Sequence, residues 1–330
     1  MKNLRRLPGH PQLAYRRLVP LAVALCAMIV ALPAQAQDGD GDKPVAVDTG
    51  NDPRNFGSKF MPYYRYTELK NGLKADDLAI FGMWAVNKNF ALTYETSIGK
   101  RVDIRDTAAC AGLPAIDCTG SVPGGGFLPN GLPAEGDGVE VGMGDTILRM
   151  FWNVDATLWG GAVIPGIQVT LPTATDPVLG SETVSGGPMI TFVWDLKKWP
   201  APGAFFAMMN IFEFDWYSDT GRGDVGRYMG RWFLQLPINK KHKLYLLTEF
   251  QPVYDWEVEH FSFWFAPEFG KAFTPSKGIF RNGGAIYIKP GFGVNPDLLA
   301  GDREFTFELG VRFFFKGGGQ DKFDIISALR

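Results

Sequence analysis

Residues 304–316 read EFTFELGVRFFFK. Phe305, Phe307, Leu309, Val311, Phe313 and Phe315 stand at every second position, with Thr306, Glu308, Gly310, Arg312 and Phe314 between them. Successive side chains of a strand point to opposite faces, so one face here is wholly apolar and the other mostly polar. A strand of a soluble sandwich can share the pattern. About ten residues of sustained alternation fit a tilted strand that crosses a bilayer, with its polar face toward a lumen and its apolar face toward lipid.

The amino terminus reads as a removable leader. Lys2, Arg5, Arg6, Arg16 and Arg17 form a basic region, residues 18–32 an apolar stretch, and Ala34-Gln35-Ala36 a small-x-small cleavage site. The apolar stretch is short for a spanning helix, and no other run in the sequence reaches the ~18 apolar residues such a helix needs. Signal residues 1–36 are therefore followed by a mature chain beginning near Gln37. Residues 37–59 are acidic and glycine-rich and read as a mobile or extended segment. Asp38, Asp40 and Asp42 begin like a calcium loop, but Lys43 stands where such a loop needs glycine. Beyond the leader only Cys110 and Cys118 remain, in a Gly/Pro-rich stretch of an exported chain, and a loop-stapling disulfide between them is expected. A net charge of -2 gives no basic footprint for nucleic acid. Forty glycines and 26 phenylalanines suit glycine-rich turns and aromatic girdles.

Strand patterns separated by turn residues fall near 60–68, 77–86, 90–105, 139–152, 156–171, 187–197, 204–217, 227–237, 243–253, 257–271, 279–293 and 304–316. The gaps between them alternate in size over much of the chain. Residues 87–89, 153–155, 198–203, 238–242 and 272–278 are short connections, and 69–76, 106–138, 172–186, 218–226 and 294–303 are mostly longer; the gap at 254–256 breaks the trend. Short turns on one side and long loops on the other are the signature of an outer-membrane barrel with both termini in the periplasm. The expected fold is an all-β transmembrane antiparallel barrel of about twelve strands over 60–316, with a periplasmic tail at 317–330.

Alternation assigns the faces. Phe261, Phe263, Phe265 and Phe269 oppose Ser262, Trp264 and Glu268; Phe212, Phe214 and Trp216 oppose Glu213 and Asp215. A Lys or Arg facing lipid at mid-membrane costs about 2–4 kcal/mol. Glu95, Asp145, Arg149, Glu213, Asp215, Arg231, Glu249, Glu268, Lys289, Glu308 and Arg312 are accordingly expected to line the lumen. They could fill it as an ion-pair network or line a solute path. Tryptophans 84, 152, 159, 194, 199, 216, 232 and 256 fall mostly near strand ends, where girdle residues belong.

Two stretches resemble known families. Glu308-Leu309-Gly310-Val311-Arg312-Phe313-Phe314-Phe315 is similar to the insertion signal on the last strand of bacterial outer-membrane proteins, which implies the outer-membrane insertion machinery as a partner. Gly144-Asp145-Thr146, then Leu171 to Ser181 (LPTATDPVLGS), then Gly186-Gly187-Pro188 resembles the GD…LPTA…LGS…GP pattern of the MetA-pathway phenol-degradation transporter family. That resemblance covers about fifty residues and implies a porin-like barrel for uptake of hydrophobic or aromatic compounds. In physical terms, Pro172 and Pro177 end strand pairing, Thr173, Thr175 and Asp176 form side-chain turns, and Gly180 completes the loop.

His260-Phe261-Ser262 has the His-x-Ser spacing of outer-membrane lipases, and on a strand the two polar residues share a face. Glu249 or Glu268 would be the orienting group. Alternation, however, places this pair inside the barrel, whereas those lipases act at the lipid face. The Gly221–Gly226 match to G-x-G-x-x-G has no helix after it. No cofactor motif and no histidine cluster for a metal appear. The reading is an outer-membrane channel, not an enzyme, that passes small hydrophobic or aromatic solutes by diffusion. Outer-membrane lipid surrounds it, and loop 106–138 with residues 37–59 controls access. A lipid hydrolase using His260 and Ser262, or a closed structural or surface-interaction barrel, is the alternative.

Overall fold

The computed structural model describes residues 51–54, 56–70, 74–103, 139–176, 179–198, 203–218, 225–239, 242–257, 259–273, 283–294 and 302–315. The expected signal segment, the Cys110–Cys118 loop, Pro177, Trp199, residues 221–224 and the carboxy-terminal tail lie outside them. The strands are β1 (Lys59–Leu69), β2 (Lys74–Asn87), β3 (Phe90–Asp103), β4 (Val139–Gly142), β5 (Thr146–Trp152), β6 (Ala156–Leu158), β7 (Gly161–Leu171), β8 (Thr183–Asp195), β9 (Phe205–Ser218), β10 (Gly226–Asn239), β11 (Leu244–Asp255), β12 (His260–Phe273), β13 (Gly284–Gly293) and β14 (Arg303–Phe314). Every pairing is antiparallel. β1 pairs with both β14 and β2, and β2 pairs with β3, so the sheet closes on itself.

The barrel has twelve staves. β4 and β5 both pair with β3 and form one stave broken at Met143-Gly144-Asp145. β6 continues that stave and pairs back onto β7. The chain therefore reverses at Trp159-Gly160 and not at 153–155, where turn composition placed the reversal. Trp159 and Gly160 have φ of 51° and 77°. Positive φ at both central residues is what a two-residue turn needs to match the twist of its strands.

The turns after β2, β6, β8, β10 and β12 lie at one end with the barrel termini Lys59 and Phe314, and the other end carries the connections after β1, β3, β7, β9, β11 and β13. We call these the short-turn and long-loop ends. The outer surface is apolar: Leu78, Tyr94, Leu148, Phe212, Phe261, Ile286, Ile288, Phe307 and Leu309 are all exposed. A closed wall that pairs its own backbone and turns apolar side chains outward is a transmembrane barrel of the outer-membrane kind. Trp84, Trp152 and Trp159 are exposed at the short-turn end and Trp216 near the long-loop end. Trp232 departs from the girdle, lying mid-strand with its Nε1 3.4 Å from Asn210 Oδ1.

The segment before β1 packs into the barrel mouth. Phe56 is buried and lies 6.5 Å, ring to ring, from Phe151. The Ser58 hydroxyl accepts the Ala85 amide at 3.2 Å, and the Ser58 carbonyl accepts Phe315 N at 2.8 Å. Arg54 donates to Asp52 and to Asp195, both at 2.7 Å. Those bonds, Asp52 first, hold its guanidinium pKa above the ordinary value. The mobile segment expected over 37–59 is thus docked across its described part, because Phe56 finds an apolar pocket.

Prolines thin the ladder at one seam. Pro267 on β12 and Pro290 on β13 stand opposite each other, and pairing stops between Phe265↔Phe292 and Phe269↔Ile288. The ladders on their other sides continue through Thr248↔Pro267 and Pro290↔Phe307. Proline lacks an N–H, and both missing donors fall on the shared seam. Pro267→Val with Pro290→Val is expected to slow amide exchange at the flanking residues. It should also raise unfolding stability by about 0.5–1.5 kcal/mol per restored bond, read from denaturant unfolding in lipid vesicles.

Candidate functional site

The inner face is organised around aromatic residues lying over glycines. Tyr245 pairs with Gly270 and Tyr287 with Gly310, and a Cβ on either glycine would overlap the tyrosine ring. The hydroxyls then reach carboxylates two residues from those glycines: Tyr245 Oη donates to Glu268 Oε1 at 2.9 Å and Tyr287 Oη to Glu308 Oε1 at 2.7 Å. Tyr63 Oη donates to Glu95 Oε1 at 2.6 Å, reaching across β2. Each ring fills interior volume, and its hydroxyl satisfies a buried acid.

Arginines cross between these acids. Arg312 of β14 donates Nη1 and Nη2 to the two oxygens of Glu268 of β12, at 2.7 and 2.6 Å, with a further bond to the Tyr245 hydroxyl. Arg65 gives Nε and Nη2 to Glu308 at 3.0 and 2.9 Å and stands 3.9 Å from Glu95. Arg149 donates to Glu95 at 3.1 Å and to Gln168 at 2.7 Å. Glu249 accepts Arg231 Nε at 2.6 Å, the Gln251 amide at 2.6 Å, and Lys289. Arg312–Glu268, Lys289–Glu249 and Arg65–Glu95 skip a strand, which only side chains on the concave face can do.

These groups surround a cavity of about 150 Å³. Its lining combines the charges of Arg65, Glu95, Arg149, Arg231, Glu249 and Lys289 with the apolar side chains of Phe81, Met83, Phe151, Met209, Phe233 and Leu247. Asn51, Pro53 and Phe56 close it toward the short-turn end. A buried apolar cluster runs from Phe56, Ala91 and Phe205 past Met189 and Met209 to Met229 and Val253. The interior therefore has one charged side and one apolar side.

Of the residues assigned to the lumen from sequence, Glu95, Arg149, Arg231, Glu249, Glu268, Lys289, Glu308 and Arg312 meet around this cavity. Glu213 sits elsewhere, fully buried with Arg227, Thr170 and Ser185. Asp215 lies near the long-loop end, accepting Val225 N at 3.2 Å. Asp145 lies between β4 and β5. It accepts Ala174 N at 3.2 Å and Ser181 N at 2.6 Å, pinning the motif loop. Lys100 holds Leu179 O at 2.9 Å, Thr175 exchanges bonds with Met143, and Thr173 bonds Gly144 O and Thr146. A Cβ on Gly180 would overlap Ala174 and the Asp145 carboxylate. The GD and LPTATD…LGS stretches are thus two halves of one folded loop.

His260 Nε2 lies 2.7 Å from Asp302 Oδ2. The expected orienters are engaged elsewhere, Glu249 with Arg231 and Lys289, and Glu268 with Arg312. Sequence reasoning passed over Arg65, Lys100, Arg227 and Arg303, all inward-facing. Strict parity with Tyr63 along β1 and with Arg231 along β10 points to Arg65 and Arg227; nothing in the local pattern points to Arg303.

No family model matches the chain, and no curated protein matches it. Among solved structures it is similar to a COG4313 outer-membrane channel from Pseudomonas putida F1 (12% identity, 84% of this chain and 99% of that one, TM-score 0.48). It is also similar to the NanC porin (8% identity, 78% and 98%, TM-score 0.47) and to outer membrane phospholipase A from Escherichia coli (10% identity, 78% and 92%, TM-score 0.36). These are likenesses of barrel architecture.

Removing one partner of a buried pair leaves the other charge uncompensated. Glu268→Gln is expected to destabilise the barrel by about 3–5 kcal/mol in vesicle unfolding, and Glu268→Leu with Arg312→Met to cost less. Asp145→Ala frees the Ala174 and Ser181 amides. Hydrogen exchange over 172–181 should rise at least tenfold while the rest of the barrel is unchanged.

Proposed function

We propose that the chain is an outer-membrane channel passing small solutes by passive diffusion. The observation that carries this reading is the cavity enclosed by a closed transmembrane wall, with one charged and one apolar side. The apolar side, together with the motif resembling the phenol-degradation transporter family, supports hydrophobic or aromatic solutes as the cargo. The ion pairs that cross the lumen leave little free width, so conductance is small. The docked segment through Phe56 narrows the short-turn end further, which makes residues 37–58 an access control at the periplasmic side; loop 106–138, stapled by Cys110 and Cys118, serves the opposite side. Similarity of β14 to the insertion signal supports assembly by the outer-membrane insertion machinery.

Single-channel recording of the refolded mature protein in planar bilayers tests the reading. Small steady currents are expected, rising several-fold when residues 37–58 are deleted and changing when 106–138 are removed. Absence of current from every form, each migrating as a folded heat-modifiable barrel, would sink the channel and leave the closed structural barrel.

A further inference from the structure

Arg303 breaks the alternation of its strand. Phe305, Phe307 and Leu309 of β14 face outward, and Thr306, Glu308 and Arg312 face inward. Continued parity would place Arg303 in lipid. Instead the register slips: Glu68 pairs with Phe305, but Leu69 pairs with Arg303, leaving Glu304 as the extra residue of a bulge. A bulge re-aims the side chain beside it, and Arg303 turns inward, only 6% exposed.

Inside, the guanidinium reaches across β13. Its Cζ stands 4.1 Å from the Trp264 ring centroid, and Nη2 donates to Gln251 Oε1 at 2.6 Å. Gln251 and Trp264 are register partners on β11 and β12. The reach is possible because β13 offers Gly291 and Gly293 there; a Cβ on Gly291 would overlap the Trp264 ring. Both partners of Arg303 are neutral. Arg149, Arg227 and Arg312 each meet a carboxylate, whereas no described carboxylate lies within ion-pair distance of Arg303. Its two candidates are engaged: Asp302 with His260, Glu249 with Arg231 and Lys289. Among the described residues the Arg303 guanidinium donates through Nη2 alone.

We propose that Arg303, held by Gln251 and Trp264, binds the carboxylate of a small organic acid near the long-loop end of the lumen. This rests on the channel reading for its role and names its solute class as apolar acids. Burying a cation with no carboxylate in direct contact is costly, and a local rule broken at such cost marks a functional position. The planar guanidinium matches a carboxylate in shape and donor spacing, and a neutral alcohol supplies no counter-charge. Gln251 and Trp264 are positioning residues: one fixes the fork in its plane, the other supports its face.

Isothermal titration of the folded full-length mature protein in detergent, with benzoate and benzyl alcohol as probes, tests the site. Saturable benzoate binding is expected, with benzyl alcohol at least tenfold weaker. Arg303→Gln should weaken benzoate at least tenfold, and Arg303→Lys should fall between. Gln251→Glu supplies an internal carboxylate and should abolish benzoate binding in a barrel that still migrates as folded, which keeps the test open if Arg303→Gln fails to fold. Equal binding of benzyl alcohol, benzoate binding unchanged in the folded variants, no benzoate binding by the unaltered protein, or displacement by inorganic phosphate as effective as by benzoate would each overturn the carboxylate site. A conducting barrel that ignores benzoate overturns the site and leaves the channel. Benzoate bound by a non-conducting barrel does the reverse.

Discussion

Inside a bilayer a backbone amide has no water to turn to, so every strand must find a neighbour on each side. Closure through β1–β14 and β2–β3 meets that demand, and much else follows from it. Once the wall closes, alternate residues are committed to lipid or to a confined interior. The stave built from β4, β5 and β6 shows how firmly the constraint holds: the chain breaks twice there, yet pairing with β3 and β7 persists on either side. Where prolines interrupt the ladder, as at Pro267 and Pro290, the gap is confined to one seam and the outer ladders carry the load.

The interior has the opposite problem. Twelve staves enclose more space than small side chains fill, and charges placed there lose bulk water. Tyrosines over glycines take up volume and present hydroxyls to Glu268 and Glu308, and arginines complete the valences, Arg312 from two strands away and Arg65 from the adjacent strand. The resulting mesh is both filling and lining. It leaves a pocket with a charged side and an apolar side rather than a wide aqueous bore, which favours selective passage over bulk flow.

The antiparallel barrel and its strands were legible because lipid enforces a period of two over long runs, as in Glu308 to Phe313 and Phe261 to Phe269. The same period separates Glu213 from Phe212 and Phe214. Turn placement was less legible: Asn153-Val154-Asp155 has turn composition, but the reversal falls at Trp159-Gly160, where local φ values suit the twist of the paired strands. The docked segment through Phe56 was not legible, since an acidic, glycine-rich composition says nothing of one phenylalanine meeting Phe151 inside a barrel that other residues build.

Sequence by itself determined which residues face lipid and which face inward along each regular strand, because that depends only on parity and on the cost of a charge in hydrocarbon. It also held the two halves of the Asp145 loop motif, though not their contact. Tertiary structure decided who pairs with whom. Glu268 meets Arg312 and Glu249 meets Lys289 across an intervening strand, a matter of curvature and register that no local pattern encodes. Arg303 turns inward through one extra residue opposite Leu69, and a bulge exists only between two strands, not within one.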